Sequence, residues 1–480
     1  MTYTHDLIVI GAGSGGLGAA GIAARLDLKV ALIDKSDYNI GGDCLNYGCV
    51  PSKALITVAR YFQGAREAQA FGLECRGVAD LGQVMDCVRA KQDIIREREN
   101  AAYLEREEGI DVRIGWATFV DEHTVEVADE RLTAPKIVLA TGSTARRLTV
   151  PGAEEVGYYT NETLWDLREL PEHLLIVGGG PIGCEMAQAF RRLGSEVTIV
   201  EQGERILGVE LPEISQVLAD CFEREGIRML TGAELQDFPT PTSVRLTLAD
   251  GQEKTVPFSH ALVAIGRNVN TEGMHLDKAG VAVKDGKIVV DDELRTTCKH
   301  IWAIGDSAGM EKFSHGAEMH NRMWAYNMIV PVHKKKHTTK HLSWVTFTDP
   351  EVASFGYTQQ QLDEQGIAYE KITQDFTEDD RAVVAGYHDY GLLILFLSKP
   401  GLLGKPRLLG GTMIAPHAGE LIQEFILANM NDLSTDVFFD KLYPYPTAGR
   451  INQKPFVDRR SDGLNGLTKA AARVAFRAAL

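Results

Sequence analysis

Along the chain, one pattern of apolar and polar positions occurs twice. An apolar run, LIVI at 7–10, gives way to a glycine cluster, an alanine-rich stretch, a second apolar run, VALI, and an acid, Asp34. Short apolar runs on this spacing predict strand, turn, helix, strand, the βαβ unit of a parallel sheet. The same succession returns between His173 and Gln202, as LLIV, GGGPIG, a helical stretch, VTIV and Glu201. KIVLATGS at 136–143 and HALVAIGRN at 260–268 predict strands that run out through Gly142 and Gly266, each leaving one unit for the other. HIWAIGDSAG at 300–309 predicts a further strand ending at Gly305 and Asp306. From about Ser343 the pattern changes to short strands and amphipathic helices, among them GLLILFLSK and AGELIQEFILANM.

The glycines give the two units a chemistry. Gly11, Gly13 and Gly16 read G-x-G-x-x-G, and so do Gly178, Gly180 and Gly183. Missing side chains permit a tight turn, close approach of a pyrophosphate and packing of helix on strand. The phosphates then meet the helix N-terminus, and the acid at the second strand's end accepts from ribose hydroxyls. That acid follows the first glycine at the same distance in both units, from 11 to 34 and from 178 to 201. Two dinucleotides are therefore expected, a tightly held flavin and a diffusible nicotinamide, because hydride chemistry needs a donor and an acceptor ring. Asp306, taken alone, reads as a turn residue.

Composition narrows the partners. A length of 480 residues suits about three domains, and 44% hydrophobic with 24% charged residues is a soluble globular balance. A formal net charge of -16, with no basic stripe, argues against nucleic acid or an anionic membrane as partner. No apolar run approaches the roughly 20 residues of a membrane span. The opening MTYTHDLIVIGAG has no leader pattern, so a cytoplasmic chain is expected.

Of seven cysteines only Cys44 and Cys49, in GGDCLNYGCVPSKALI, are closely spaced. A zinc knuckle needs a second pair, which is missing, so no metal site is expected and a redox dithiol is the better reading; the alternative is two cysteines packed in a core helix. Pro51 and Ser52 open a predicted helix, which puts Cys49 near its positive end, where a thiolate is stabilised.

With these segments in hand, the sequence resembles the class I pyridine-nucleotide disulfide oxidoreductases, the family of lipoamide dehydrogenase, glutathione reductase and mercuric reductase. The resemblance runs from IGAGSGG through GGDCLNYGCVPSKAL, ATGS, GGGPIGCE, AIGR and AIGDSAG to FTDPEVASFGYT at 347–358. It implies FAD against Gly11, Gly13, Gly16, Asp34 and Asp306, Cys49 as the thiolate that contacts the flavin ring, and Cys44 as the interchange thiol. It also implies a Lys53–Glu185 ion pair near the flavin, and a homodimer whose interface is built by the C-terminal segment. Glu201 favours NAD(H) over its phosphorylated counterpart, since a carboxylate there repels a 2′-phosphate. Arg205, the only nearby cation, reads as a surface residue pairing Glu204 or Glu201.

One segment departs from the family. Where relatives often carry HPTxxE, a histidine that moves protons for the thiols and a glutamate that orients it, this chain reads YPTAGR, with Tyr445 and Arg450 at those places. Tyr443 falls where many relatives have an additional histidine. A tyrosine ordinarily titrates near 10, which makes it a poor proton shuttle for a thiol. Mercuric reductases also carry tyrosine there, but the tail SDGLNGLTKAAARVAFRAAL lacks their terminal cysteine pair. His315, His320 and His417 read as packing or interface residues rather than replacement bases.

The expected fold class is α/β: two Rossmann-like dinucleotide-binding domains plus a C-terminal α+β dimerisation domain. The expected order is an FAD-binding part at 1–150, an NAD(H)-binding domain at 151–265, a second FAD-binding part at 266–340, an interface domain at 341–465 and a tail at 466–480. The expected function is transfer of electrons from NADH through flavin and the Cys44/Cys49 disulfide to a small disulfide or a thiophilic metal ion. A dihydrolipoamide dehydrogenase working in the NAD-reducing direction is the alternative, and a flavoprotein redox sensor with little turnover is the alternative of another class. The expected site residues are Cys44, Cys49, Lys53, Glu185 and Tyr445 for the chemistry. For the cofactors they are the two glycine triplets, Asp34, Lys53, Gly142, Glu201, Gly266 and Asp306.

Overall fold

The computed structural model describes residues 2–399, 405–463 and 466–478, so residues 479 and 480 of the expected tail lie outside the described residues. The chain forms two compact units, one of residues 1–206 and 225–337, the other of 207–224 and 338–480.

The first unit contains two parallel sheets built alike. Strand β1 (Leu7–Ile10) leads through a glycine turn into helix α1 (Ser14–Ala24), which returns the chain to β2 (Val30–Asp34). The sheet order is Ile301–Ala303, Ile137–Leu139, β1, β2, β3 (Asp111–Ile114), every neighbouring pair parallel. Successive side chains on a strand point to opposite faces. Leu7 and Val9 accordingly enter one apolar cluster and Ile8 and Ile10 another. Both faces are covered, which is why these strands read as unbroken apolar runs. Each fully buried Leu, Ile or Val contributes about 1.5–3 kcal/mol to that arrangement. The second parallel sheet has the order Arg228–Leu230, Glu196–Val200, His173–Val177, His260–Val263. Ser143–Ala145 and Arg267–Val269, the segments that follow Gly142 and Gly266, pair antiparallel with each other.

The second unit is α+β. A five-stranded antiparallel sheet runs in the order Ser343–Thr346, Glu351–Gly356, Leu408–Ala415, Leu392–Ser398, Tyr369–Asp375. Its core gathers Phe355, Phe376, Phe425, Phe438 and Phe456. A helix, Gly466–Ala478, closes the described chain, its described side chains exposed.

Candidate active site

The two glycine turns repeat each other atom for atom in their constraints. Gly11 (φ +101) and Gly178 (φ +108) take a backbone conformation closed to most residues; a Cβ would stand 2.3 Å from the Ala140 carbonyl oxygen in one case and 2.5 Å from that of Ala264 in the other. A Cβ on Gly16 would meet the Gly11 oxygen at 1.7 Å, and one on Gly183 the Gly178 oxygen at 1.9 Å. The middle glycines are different in kind: Gly180 faces open space and Gly13 meets only the Gly42 Cα, at 3.5 Å. Both following helices begin without a side-chain cap or an acid in the first turn. Their free N–H groups and positive dipole ends are therefore available to phosphate.

The acids repeat too. Asp34 accepts from the Ala12 N–H at 2.7 Å, and Glu201 accepts from the N–H groups of Gly179 and Gly203, both at 2.6 Å. Burial holds the Asp34 carboxyl above its ordinary range, against the pull of its backbone N–H donors. An acid at the ribose position, an open middle glycine and an uncapped helix are what a dinucleotide requires, and the residues present fit one in each sheet.

Gly41 and Gly42, both with positive φ, turn the chain back over the first glycine turn, and a Cβ on Gly42 would stand 2.5 Å from the Gly13 Cα. This backbone-on-backbone approach sets the redox segment beside the phosphate turn. Cys44 lies on α2 (Gly42–Asn46) and Cys49 is the first residue of α3 (Cys49–Glu67). Pro51 in the first turn of α3 costs nothing, because its missing N–H has no intrahelical partner there. Gln92 donates to the carbonyls of Leu45 and Asn46 at 2.9 and 3.0 Å, which fixes the loop between the two cysteines.

Both cysteines are thiols here, Cys44 half-buried and Cys49 exposed. Cys49 is held down to about 6, first by the hydrogen bond from Cys44 and then by Ser314 and the Lys53 charge, against the opposing cost of desolvation. Cys44 is pushed well up, chiefly because it donates to Cys49 and then by burial. Ser314 Oγ stands 3.6 Å from Cys49 Sγ. One turn along α3, Lys53 Nζ reaches the buried Glu185, 2.8 Å from Oε2 and 3.1 Å from Oε1.

Asp306 accepts from Ser143 Oγ at 2.5 Å, and burial raises its carboxyl above the ordinary range. Arg267 donates to Ser143 Oγ at 2.7 Å and to Asp43 Oδ1 at 2.9 Å, and Asn161 donates to Asp43 at 3.0 Å. Gly142 takes a positive φ, and its N–H donates to Ser307 Oγ at 3.1 Å; Gly266, also at positive φ, gives its carbonyl to the Arg146 N–H at 2.9 Å. Ser314, Asp43, Arg267 and Ser143 escaped the sequence reading. Arg267 had a signal, since it follows Gly266 directly in AIGR; Ser314 had none, being 265 residues from its sulfur partner.

The second unit holds the C-terminal segment. Tyr445 is 67% exposed, and the Arg450 guanidinium lies over its ring at 5.4 Å. Two residues earlier, the Tyr443 hydroxyl donates to Glu424 at 2.9 Å; burial first, then the Glu424 charge, pushes Tyr443 upward. Asn452 and Lys441 also donate to Glu424. His320 is fully buried with Nδ1 accepting from the Gly305 N–H, His315 stacks on Phe313, and His417 is an exposed turn residue.

Comparison with known proteins gives the family. Residues 5–324 match the family described as pyridine nucleotide-disulphide oxidoreductase, and 342–454 match its dimerisation domain. Dihydrolipoyl dehydrogenase from Chlamydia muridarum is 35% identical over 459 residues, 94% of this chain and 96% of that protein. Mercuric reductase from Streptomyces lividans is 34% identical over 457 residues, 92% and 94% of the two chains. Among solved structures, the Cu(II) complex of the HOCl-induced flavoprotein disulfide reductase RclA from Escherichia coli superposes with a TM-score of 0.82 at 26% identity, over 95% of this chain and 99% of that one. LpdA from Mycobacterium tuberculosis gives 0.82 at 27%, over 94% and 98%.

Proposed function

The chain belongs to the pyridine nucleotide-disulphide oxidoreductases, and from that premise we propose that it carries electrons from NADH through Cys44 and Cys49 to a thiophilic metal ion or a small disulfide. FAD, when bound, supplies the two-electron relay between nicotinamide and disulfide. Gly11, Gly13, Gly16, Asp34, Gly142 and Asp306 would hold it, with Lys53 alongside. Gly178, Gly180, Gly183, Glu201 and Gly266 would hold the nicotinamide nucleotide. A dithiol kept reduced in this way suits the cytoplasm.

The chain's own residues divide the work. Cys49, ionised near neutrality, is the thiolate stored between the two half-reactions. Cys44 attacks the acceptor: its sulfur displaces one thiol from a substrate disulfide, and Cys49 then displaces the second from Cys44, closing the protein disulfide. With a metal ion the two sulfurs act as soft ligands. Lys53, paired with buried Glu185, contributes the positive charge that favours the Cys49 thiolate.

The acceptor preference rests on Tyr445, which stands exposed under the Arg450 guanidinium rather than beside a carboxylate. A tyrosine is a poor acceptor or donor for a thiol proton near neutrality, so disulfides are expected to be the poorer substrates. The likeness to mercuric reductase, and to a reductase solved with Cu(II), makes Hg²⁺ and Cu²⁺ the metal ions to try. A second reading, oxidation of dihydrolipoamide by NAD⁺, is favoured by the 35% identity to dihydrolipoyl dehydrogenase. Steady-state NADH oxidation with Hg²⁺, Cu²⁺, lipoamide and glutathione disulfide separates the two. Metal-dependent turnover is expected. Disulfide turnover should rise by about 10²–10⁴-fold in the Tyr445→His, Arg450→Glu double variant, the usual worth of general acid-base assistance. Rapid lipoamide reduction by the wild type, unaffected by Tyr445→Phe, would overturn the preference.

A further inference from the structure

Away from the redox pair, the turn between strands Thr118–Phe119 and Thr124–Val127 carries Glu122 and His123, and the turn before strand Ile301–Ala303 carries Cys298 and His300. Cys298 Sγ lies 3.7 Å from Glu122 Oε2 and 3.6 Å from each ring nitrogen of His300. One ligand atom from each of Glu122, Cys298 and His300 falls within 4.8 Å of the others. A tetrahedral zinc ion, with Zn–S about 2.3 Å and Zn–N or Zn–O about 2.0–2.2 Å, holds its donors roughly 3.5 Å apart. The sulfur already stands at that spacing from the carboxylate oxygen and from the imidazole, and all three donors fall within 4.8 Å of one another.

The imidazole tautomer is set as well. His300 Nε2 is 2.9 Å from the Glu122 carbonyl oxygen, and a carbonyl only accepts, so Nε2 carries the proton and Nδ1 presents a lone pair. His123 stacks on that ring at 4.0 Å and 15°, and is itself fixed by donation from Nδ1 to the Ala134 carbonyl at 2.9 Å. Anchoring the other ring nitrogen on a backbone carbonyl is how ligating histidines are oriented. A second trio, Glu311, His320 and His337, passes the same distance criterion but fails this test. His320 Nδ1 accepts from the Gly305 N–H at 3.1 Å, which places its proton on Nε2 and leaves no lone pair for an ion.

We propose that Glu122, Cys298 and His300 form a binding site for one borderline-soft divalent cation, with Zn²⁺ as the reference occupant and water in the fourth position. Thiolate and imidazole select such an ion over Mg²⁺ or Ca²⁺. On binding, Cys298 releases its proton to solvent. The ion ties the Glu122 turn to the strand that leads into Asp306, and so acts on stability rather than on electron transfer. The site shares no residue with the dithiol and stands independently of the proposed reaction.

Equilibrium dialysis of the FAD-loaded enzyme against Zn²⁺, with Cys44 and Cys49 oxidised, tests this. One Zn²⁺ per chain is expected, retained in the Cys44→Ser, Cys49→Ser double variant. Losing even an outer-shell partner costs about 10–100-fold in affinity, so Cys298→Ser and His300→Ala should each weaken binding by about 100-fold or more. Zn²⁺ should raise the Tm of the wild type and leave that of Cys298→Ser unmoved. The exposed Glu122→Gln, which spares the interior, should give an intermediate loss. Zinc uptake by Cys298→Ser equal to the wild type, or uptake lost only with Cys44 and Cys49, would overturn the assignment.

Discussion

Cys49 owes its acidity to three neighbours that reach it from different parts of the chain: the Cys44 thiol, the Ser314 hydroxyl and the Lys53 ammonium. With desolvation working against them, these place its titration near 6, so the thiolate dominates above that pH and is lost below it. Alkylation of the reduced enzyme by iodoacetamide should therefore rise through a midpoint near 6. Cys44→Ala removes the largest of the three contributions and should move the midpoint up towards that of an ordinary thiol; an unmoved midpoint would show that the hydrogen bond is not the cause. Glu201 makes the second prediction at this scale. Both of its oxygens are engaged by backbone N–H groups, at 2.6 Å each, so the carboxylate cannot swing away from a 2′-phosphate. NADH should reduce the enzyme about 5–150-fold faster than NADPH at limiting concentration, equivalent to roughly 1–3 kcal/mol. Stopped-flow rates equal for the two donors would contradict it.

The two glycine turns are near-copies as elements, and the proposal that they serve different nucleotides can be tested with a single methyl group at each. Gly11→Ala puts a Cβ against the Ala140 oxygen at a positive φ, and the purified protein should carry far less than one flavin per chain by absorbance. Gly178→Ala makes the same collision with the Ala264 oxygen in the other sheet. That variant should keep its flavin and lose rapid reduction by NADH. Loss of flavin in both, or in neither, would mean that the two turns are not specialised in this way. The redox segment adds a constraint of the same kind, since Gly42 can lie on Gly13 only because Gly42 has no side chain, whose Cβ would stand 2.5 Å from the Gly13 Cα.

For the whole molecule, the match of residues 342–454 to a dimerisation domain predicts assembly in pairs. Sedimentation equilibrium should give a mass twice the 52.7 kDa of the chain, independent of dilution through the micromolar range. A single-chain mass would remove the basis for giving Tyr445 any part in thiol chemistry at a partner's site. Among the described residues no helix is long and apolar enough to cross a membrane.

What the sequence by itself determined is whatever a local rule can carry. The two glycine triplets and their acids are spaced by the dimensions of one βαβ unit, and the apolar runs by the need to bury both faces of a parallel strand. The Cys44–Cys49 spacing and the helix expected around Pro51, which in the structure opens at Cys49, belong to one short segment. Each of these follows from steric or periodic demands within some thirty neighbouring residues, so each was legible. What only the tertiary structure decided are the meetings of distant segments. Ser314 approaches Cys49, Arg267 bridges Ser143 and Asp43, and Glu424 takes the Tyr443 hydroxyl while the Arg450 guanidinium lies over Tyr445. Glu122 comes within 3.7 Å of Cys298 although 176 residues separate them, a meeting that no local spacing of cysteines encodes. Such contacts depend on the twist and register of whole sheets, and no local pattern encodes a distance between two strands that the chain visits far apart.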